Sequence, residues 1–326
     1  MNFIDLELKY DVMEWKFEGQ TIAGRNGYGD ELNQLWYPHG IYVDYEEQCI
    51  YIADTNNHRI VKCKLDGGSD DGEIVAGGNG QGKRIDQLNY PRDVILDEKK
   101  KSLIISDSEN RRVVRWALQN RNDDKEILIE NISCYGLMMN ENGDLFVSDV
   151  NEHAVKRWRK GEIGRKREGI IVAGGNGWGD KLNQLNTPTY IFIDGEETVY
   201  ISDCANHRVL KWLKGASEGI IVAGGQGQGN SLSQLNGPMG LLVNEVGDIY
   251  VADWGNNRIM CWSSGSKEGR VIVGGNGEGQ GSNQLDGPTG LSFHADNNLY
   301  VVDSWNDRIQ RFRIDNEGTE QSCSLQ

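Results

Sequence analysis

Short apolar runs alternate with polar turns along the whole chain, and no helical period of comparable length interrupts them. The clearest unit is Ile50-Tyr51-Ile52-Ala53-Asp54-Thr55-Asn56-Asn57-His58-Arg59-Ile60. It reads as a strand ending at Asp54, a tight turn, and a second strand opening at Arg59. Ile41 to Asp44 predicts a strand before it, and Glu73 to Ala76 a fourth, closed by Gly77-Gly78-Asn79-Gly80. β-Branched and aromatic runs bounded by Gly, Pro and Asn are the signature of such strands.

The unit recurs. Asp54, Asp107, Asp149, Asp203, Asp253 and Asp303 hold the same place, at spacings of 53, 42, 54, 50 and 50 residues. Repeats of ~40–50 residues with about four strands each have the size of propeller blades. The last repeat stops one strand short, while Gln20-Thr21-Ile22-Ala23-Gly24 matches the fourth strand of other repeats at Ile171 to Gly174 and Ile221 to Gly224. An N-terminal strand is therefore expected to complete the sixth blade and close the ring, which removes exposed edges. The expected layout is an N-terminal extension over 1–19, an all-β, six-bladed β-propeller of four-stranded antiparallel blades over 20–315, and a polar, unstructured tail over 316–326.

Five repeats carry Asp, Asn and Arg at zero, plus three and plus five: Asp54/Asn57/Arg59, Asp107/Asn110/Arg112, Asp203/Asn206/Arg208, Asp253/Asn256/Arg258 and Asp303/Asn306/Arg308. An Asp ending one strand and an Arg opening the next can meet by charge-assisted hydrogen bonds. Catalysis needs one site, so a pattern built five times is read as structure. In the third repeat Glu152 and Ala154 replace the Asn and Arg. Asp149 is expected there to lose its partner and gain an acidic neighbour. Trp116, Trp158, Trp212, Trp262 and Phe312 recur four residues after the Arg position, with Cys63 in the first copy, and predict packing between blades.

Pro38-His39-Gly40, the strand ending in Val-Ala-Asp, the Asn-His-Arg-Ile that follows and the Gly-Gly-Asn-Gly-x-Gly link with its Gln-Leu and Pro together resemble NHL repeats. The resemblance spans about residues 20–315 and implies a β-propeller. NHL-like propellers include RNA-binding and protein-binding modules, extracellular sensor domains and a metal-dependent amidating lyase. The resemblance therefore leaves the activity open.

Composition narrows the choice. The chain of 326 residues has 42 Gly against 5 Pro, and a net charge of −15. That charge argues against nucleic acid or anionic lipid as the partner. One basic stretch, Lys156 to Glu168, reads as a solvated loop. No run approaches the ~18 apolar residues of a membrane span. Met1 to Asp5 show no basic segment followed by an apolar one, which leans the expected location to the cytoplasm. Six cysteines show no CxxC and no metal spacing. Cys49 and Cys63 flank the turn symmetrically and are expected to be reduced, with a disulfide as the alternative. Asn131-Ile132-Ser133 is a glycosylation sequon that matters only in a secreted chain.

His58, His153 and His207 fall four residues after their aspartates and are expected to be spread around the ring, not gathered on a metal. His294 falls at the end of a first strand. The Gly-rich links precede no helix and read as turns, not phosphate loops. Neither a metal nor a cofactor is expected. Alternating strand direction puts the Pro-x-Gly starts, the Asp-to-Arg turns and the Gly-rich links on one face. Residues that vary there are the recognition candidates: His39, Arg92, Tyr135, Tyr190, Met239, Thr55, Glu109, Asp149, Trp178, Trp254 and Trp305. Trp and Tyr without a repeat-wide packing role suit binding. The first expectation is a non-catalytic recognition or scaffold module for a protein, peptide or glycan. The alternative is a small-molecule lyase or hydrolase at the channel mouth, with His39, Arg92, Asp93, Glu109 and Tyr135 as acid, base and anion clamp.

Overall fold

A computed structural model describes residues 15–66, 72–99, 101–118, 125–164, 168–293 and 298–313. They form six four-stranded antiparallel sheets. Blade 1 runs Ile41–Asp44, Cys49–Asp54, Arg59–Lys64 and Glu73–Gly77. Blades 2 to 6 start at Pro91–Asp97, Cys134–Met139, Pro188–Ile193, Pro238–Val243 and Pro288–Phe293. Each of these first strands touches the next, and the sixth touches that of blade 1, so they encircle the axis. Gln20–Ala23 pairs antiparallel with Arg308–Phe312, with Thr21 opposite Gln310. The N-terminal strand thus completes blade 6. No helix among the described residues is long and apolar enough to cross a membrane.

The core lies in the seams. Buried residues gather in six clusters, each drawn mainly from two neighbouring blades. Trp116, Trp158, Trp212, Trp262 and Phe312 each sit in one seam, and the smaller Cys63 borders the sixth. Trp15 fills the groove beside blades 5 and 6, stacked on Phe293 at 6.1 Å and edge-on to Tyr250. Residues 1–14, His294 and the tail over 316–326 lie outside the described residues.

The repeated turn is a clamp on the Gly-rich link before it. Arg59 Nε donates to Asp54 Oδ2 at 2.7 Å, while its Nη atoms donate to the carbonyls of Asp30, Glu31 and Gln34. Asn57 donates to the same carboxylate oxygen and to the Gly29 carbonyl. Asp54 Oδ1 accepts from the Trp36 N–H. Arg112, Arg208, Arg258 and Arg308 repeat the pair with Asp107, Asp203, Asp253 and Asp303 at 2.6 to 2.7 Å. Blade 3 departs from the expectation that Asp149 stands unpaired. Lys156 reaches along its strand to place Nζ 2.8 Å from Asp149 Oδ2.

The histidines after the aspartates are ties between blades. His58, His153 and His207 occupy left-handed backbone positions at φ 54, 49 and 54°. Their Nδ1 atoms accept backbone N–H groups of Tyr90, Thr187 and Gly237 in the next blade. Asn257 and Asp307 do the same for Gly287 and Tyr37 through side-chain oxygens. The described cysteines are free. Cys49 lies opposite Lys64 and Cys63 opposite Ile50, so the two thiols point to opposite faces of the hairpin.

Candidate functional site

The starts of the six first strands bring His39, Arg92, Tyr135, Thr189, Met239 and Thr289 to the axis at one end of the ring. Gly40 and Gly136 make room for the neighbours that differ from glycine. A Cβ on Gly40 would lie 2.4 Å from Asp93 Oδ1, and one on Gly136 would lie 2.8 Å from the Tyr190 Cα.

His39 is 2% exposed and wired on both sides. Arg92 Nη1 stands 2.5 Å from His39 Nε2, and Tyr135 Oη stands 3.1 Å from His39 Nδ1. A guanidinium only donates. Nε2 therefore accepts, and the proton of the neutral ring sits on Nδ1, where it donates to Tyr135. The Tyr135 hydroxyl then turns its own proton to Met239 Sδ at 3.8 Å. Burial, then the Arg92 charge, holds the His39 pKa well below its ordinary value. Neutral His39 is what this wiring requires. The Arg92 guanidinium lies 5.6 Å from the Tyr135 ring centre, and Tyr190 donates to the Arg92 carbonyl while meeting Tyr135 edge-on.

Asp93 is buried beside this group without an ion-pair partner among the described residues. It accepts the N–H groups of Val94 and Leu137, the second across the seam to blade 3. Burial pushes its carboxyl up to about 7 despite both bonds. Glu109, the fifth residue proposed for chemistry, is exposed on the blade 2 turn, away from the hydrogen bonds that join His39, Arg92 and Tyr135. Thr55 is fully buried, and its hydroxyl donates to the Pro91 carbonyl of blade 2 at 2.7 Å. Ser108 and Ser304 make the same tie from blades 2 and 6. Thr55 is thus a strut beneath the face.

The aromatic candidates fall into two places. Trp178 stands alone on its link, 72% exposed. Trp254 and Trp305 meet edge-on at 5.2 Å, and Trp305 Nε1 donates to the Tyr37 hydroxyl. Tyr37 in turn packs on His39 at 4.9 Å, and next to it Trp36 meets Tyr28 at 5.7 Å. Tyr28, Trp36, Tyr37, Trp305 and Trp254 thus form an arc from the rim over blades 6 and 5, adjoining the centre. Tyr28, Trp36 and Trp305 remain 43 to 66% exposed. Trp36 and Tyr37 were missed from sequence because they sit inside the link. Aligning them with Asn89-Tyr90, Asn186-Thr187, Asn236-Gly237 and Asp286-Gly287 marks them as exceptional.

That alignment also exposes Asp286. Burial first, then Glu278 and Asp303, raise its carboxyl pKa above the ordinary value. Its Oδ1 and the neighbouring Trp254 Nε1 are buried atoms without a hydrogen-bond partner. No group of three or more His, Cys, Asp or Glu among the described residues is arranged to hold a metal.

Six four-stranded blades, ring closure by an N-terminal strand and five copies of one turn define a repeat-built six-bladed β-propeller. Residues 35–63, in blade 1, and 285–312, in blade 6, match the NHL repeat. Solved structures show the same fold at low identity. An auxiliary nutrient binding protein from Bacteroides thetaiotaomicron aligns at 15% identity, over 91% of this chain and 72% of that one, with a TM-score of 0.66. A gluconolactonase from Xanthomonas campestris aligns at 11% identity, over 90% and 89%, with a TM-score of 0.62. Virginiamycin B lyase from Staphylococcus aureus aligns at 13% identity, over 88% and 98%, with a TM-score of 0.54. No curated protein matches the sequence.

Proposed function

We propose that the chain is a recognition module that binds a protein, peptide or glycan on the face carrying the Asp-to-Arg turns. The observation that carries this reading is the arc from Tyr28 to Trp254, exposed at Tyr28, Trp36 and Trp305. These rings have no counterparts at the same positions in most other blades. Large amphipathic rings held by their neighbours give contact area at little cost in ordering, which is why they anchor binding sites. The five-fold repeated turn supplies the rigid frame.

The second reading is a small-molecule lyase or hydrolase. It is favoured by Asp93, poised near 7 beside His39, Arg92 and Tyr135. Against it, both His39 nitrogens are already engaged and the ring is buried. Probing a panel of peptides and glycans with the wild type and with Trp36→Ala and Trp305→Ala separates the two. Recognition predicts ligands bound by the wild type and lost by both variants at unchanged melting temperature. Panel binding that ignores both variants, or turnover of lactones or esters that disappears in His39→Asn, would overturn it.

A further inference from the structure

We infer that the corner formed by Glu278, Asp286, Trp254 and Trp305 binds an arginine side chain carried by a basic segment of a protein partner. The inference rests on the recognition reading and names the chemistry of its ligand.

Register is the first argument. In the links before blades 2 and 5, Gln81 donates to Asn89 and Gln228 donates to Asn236, both at 2.8 Å. The same two positions before blade 6 are Glu278 and Asp286. A donor and an acceptor have become two acceptors. The link itself registers the change. Backbone bridges close it at Tyr28 and Leu35, Gln81 and Leu88, Trp178 and Leu185, and Gln228 and Leu235. Glu278 and Leu285 form none. Like charges at adjacent positions oppose closure.

Chemistry then selects the occupant. The Asp286 Oδ1 atom is buried with no partner, and Glu278 is exposed beside it. The buried oxygen needs a donor, and the exposed carboxylate beside it adds negative charge. Trp254 and Trp305 meet at 80° over Gly287, where a Cβ would lie 3.1 Å from both indoles. Gly287 therefore lets both indoles close onto the turn beside the carboxylates. A guanidinium is planar, carries five donors and no acceptor, bridges carboxylates and stacks on indoles. Trp254 Nε1 is the one unpartnered donor in the corner, and it calls for an acceptor. A peptide carbonyl next to the arginine supplies one, which a free cation does not. The net charge of −15 favours a basic partner over long range. A sugar hydroxyl can also meet the carboxylates, but it leaves their charge uncompensated.

The test is calorimetric titration of the full chain with a blocked Gly-Gly-Arg-Gly-Gly peptide and with its citrulline twin, which keeps the shape and removes the charge. The arginine peptide should bind at least tenfold more tightly. The double variant Glu278→Gln with Asp286→Asn restores the Gln and Asn pair of blades 2 and 5, so it should fold. It should abolish the preference. Equal binding of the two peptides, or a preference that survives the double variant, overturns the inference. If neutral peptides or glycans bind through Trp36 and Trp305 without regard to charge, recognition stands and the arginine site falls. If no peptide or glycan binds the wild type, both fall.

Discussion

The centre of the face and its blade 6 corner are built from the same kinds of residue and end in opposite states. At the centre, Arg92, His39, Tyr135 and Met239 pass one hydrogen bond to the next, so both His39 nitrogens and the Tyr135 hydroxyl are engaged. At the corner, Trp254 Nε1 and Asp286 Oδ1 are buried with nothing to bond. A buried polar group without a partner carries a cost of about 1–3 kcal/mol. The centre has already removed that cost within the chain, whereas a ligand can still remove it at the corner. Polar and aromatic residues at an axis therefore do not by themselves mark a site; what matters is whether they are saturated.

The contrast can be broken most severely at the saturated clamps. Arg258→Ala leaves Asp253 buried and unpaired, and should lower unfolding stability in urea by about 3–5 kcal/mol. A loss below about 1 kcal/mol would show that the repeated turn does not hold the blade. Tyr135→Phe is next. It strands the His39 Nδ1–H, and stability should drop by about 1–3 kcal/mol. No loss would mean that the relay is loosely formed.

A pH series sharpens the picture of the centre. The folded His39 pKa lies well below that of the unfolded chain, about 6.5. Its contribution is complete above that value and is lost as the pH falls toward the folded pKa. Asp93 runs the other way, with a folded pKa of about 7 against an unfolded value near 3.8. Its contribution is present at low pH and is lost as the pH rises through about 7. Between pH 5 and 6 the two slopes oppose each other. Relative to wild type, His39→Asn should lose about 1 kcal/mol across that unit and Asp93→Asn should gain a similar amount. Parallel curves for the three proteins would refute this balance. The smallest effect is a reversal of sign at the corner. Glu278→Gln gives Asp286 a donor, as Gln228 gives Asn236, and should raise stability by about 0.5–1 kcal/mol. Melting curves that show a decrease would mean that the Asp286 carboxylate is already satisfied.

Much of the architecture was legible because it is local and repeated. Asp54, Asn57 and Arg59 lie within six residues of one another, and five copies make their role plain. The N-terminal strand was legible because Gln20 to Gly24 repeats a known segment. Lys156 was not, since nothing in its spacing says that a flexible side chain would replace the missing arginine at Asp149. Thr55 was also misplaced. It varies between copies like a surface residue, yet its hydroxyl crosses a seam to Pro91.

By itself, the sequence determined the number of blades, their strands, the turn that clamps each link and the way the ring closes. These follow from period, alternation and short-range charge pairing, which a linear chain displays directly. Only the tertiary structure decided which polar groups are spent on one another. His39 and Met239 are 200 residues apart and share Tyr135, while Tyr37 and Trp305 meet across the closing seam. Such pairings depend on the ring bringing distant blades to one axis, and on burial removing water as the alternative partner.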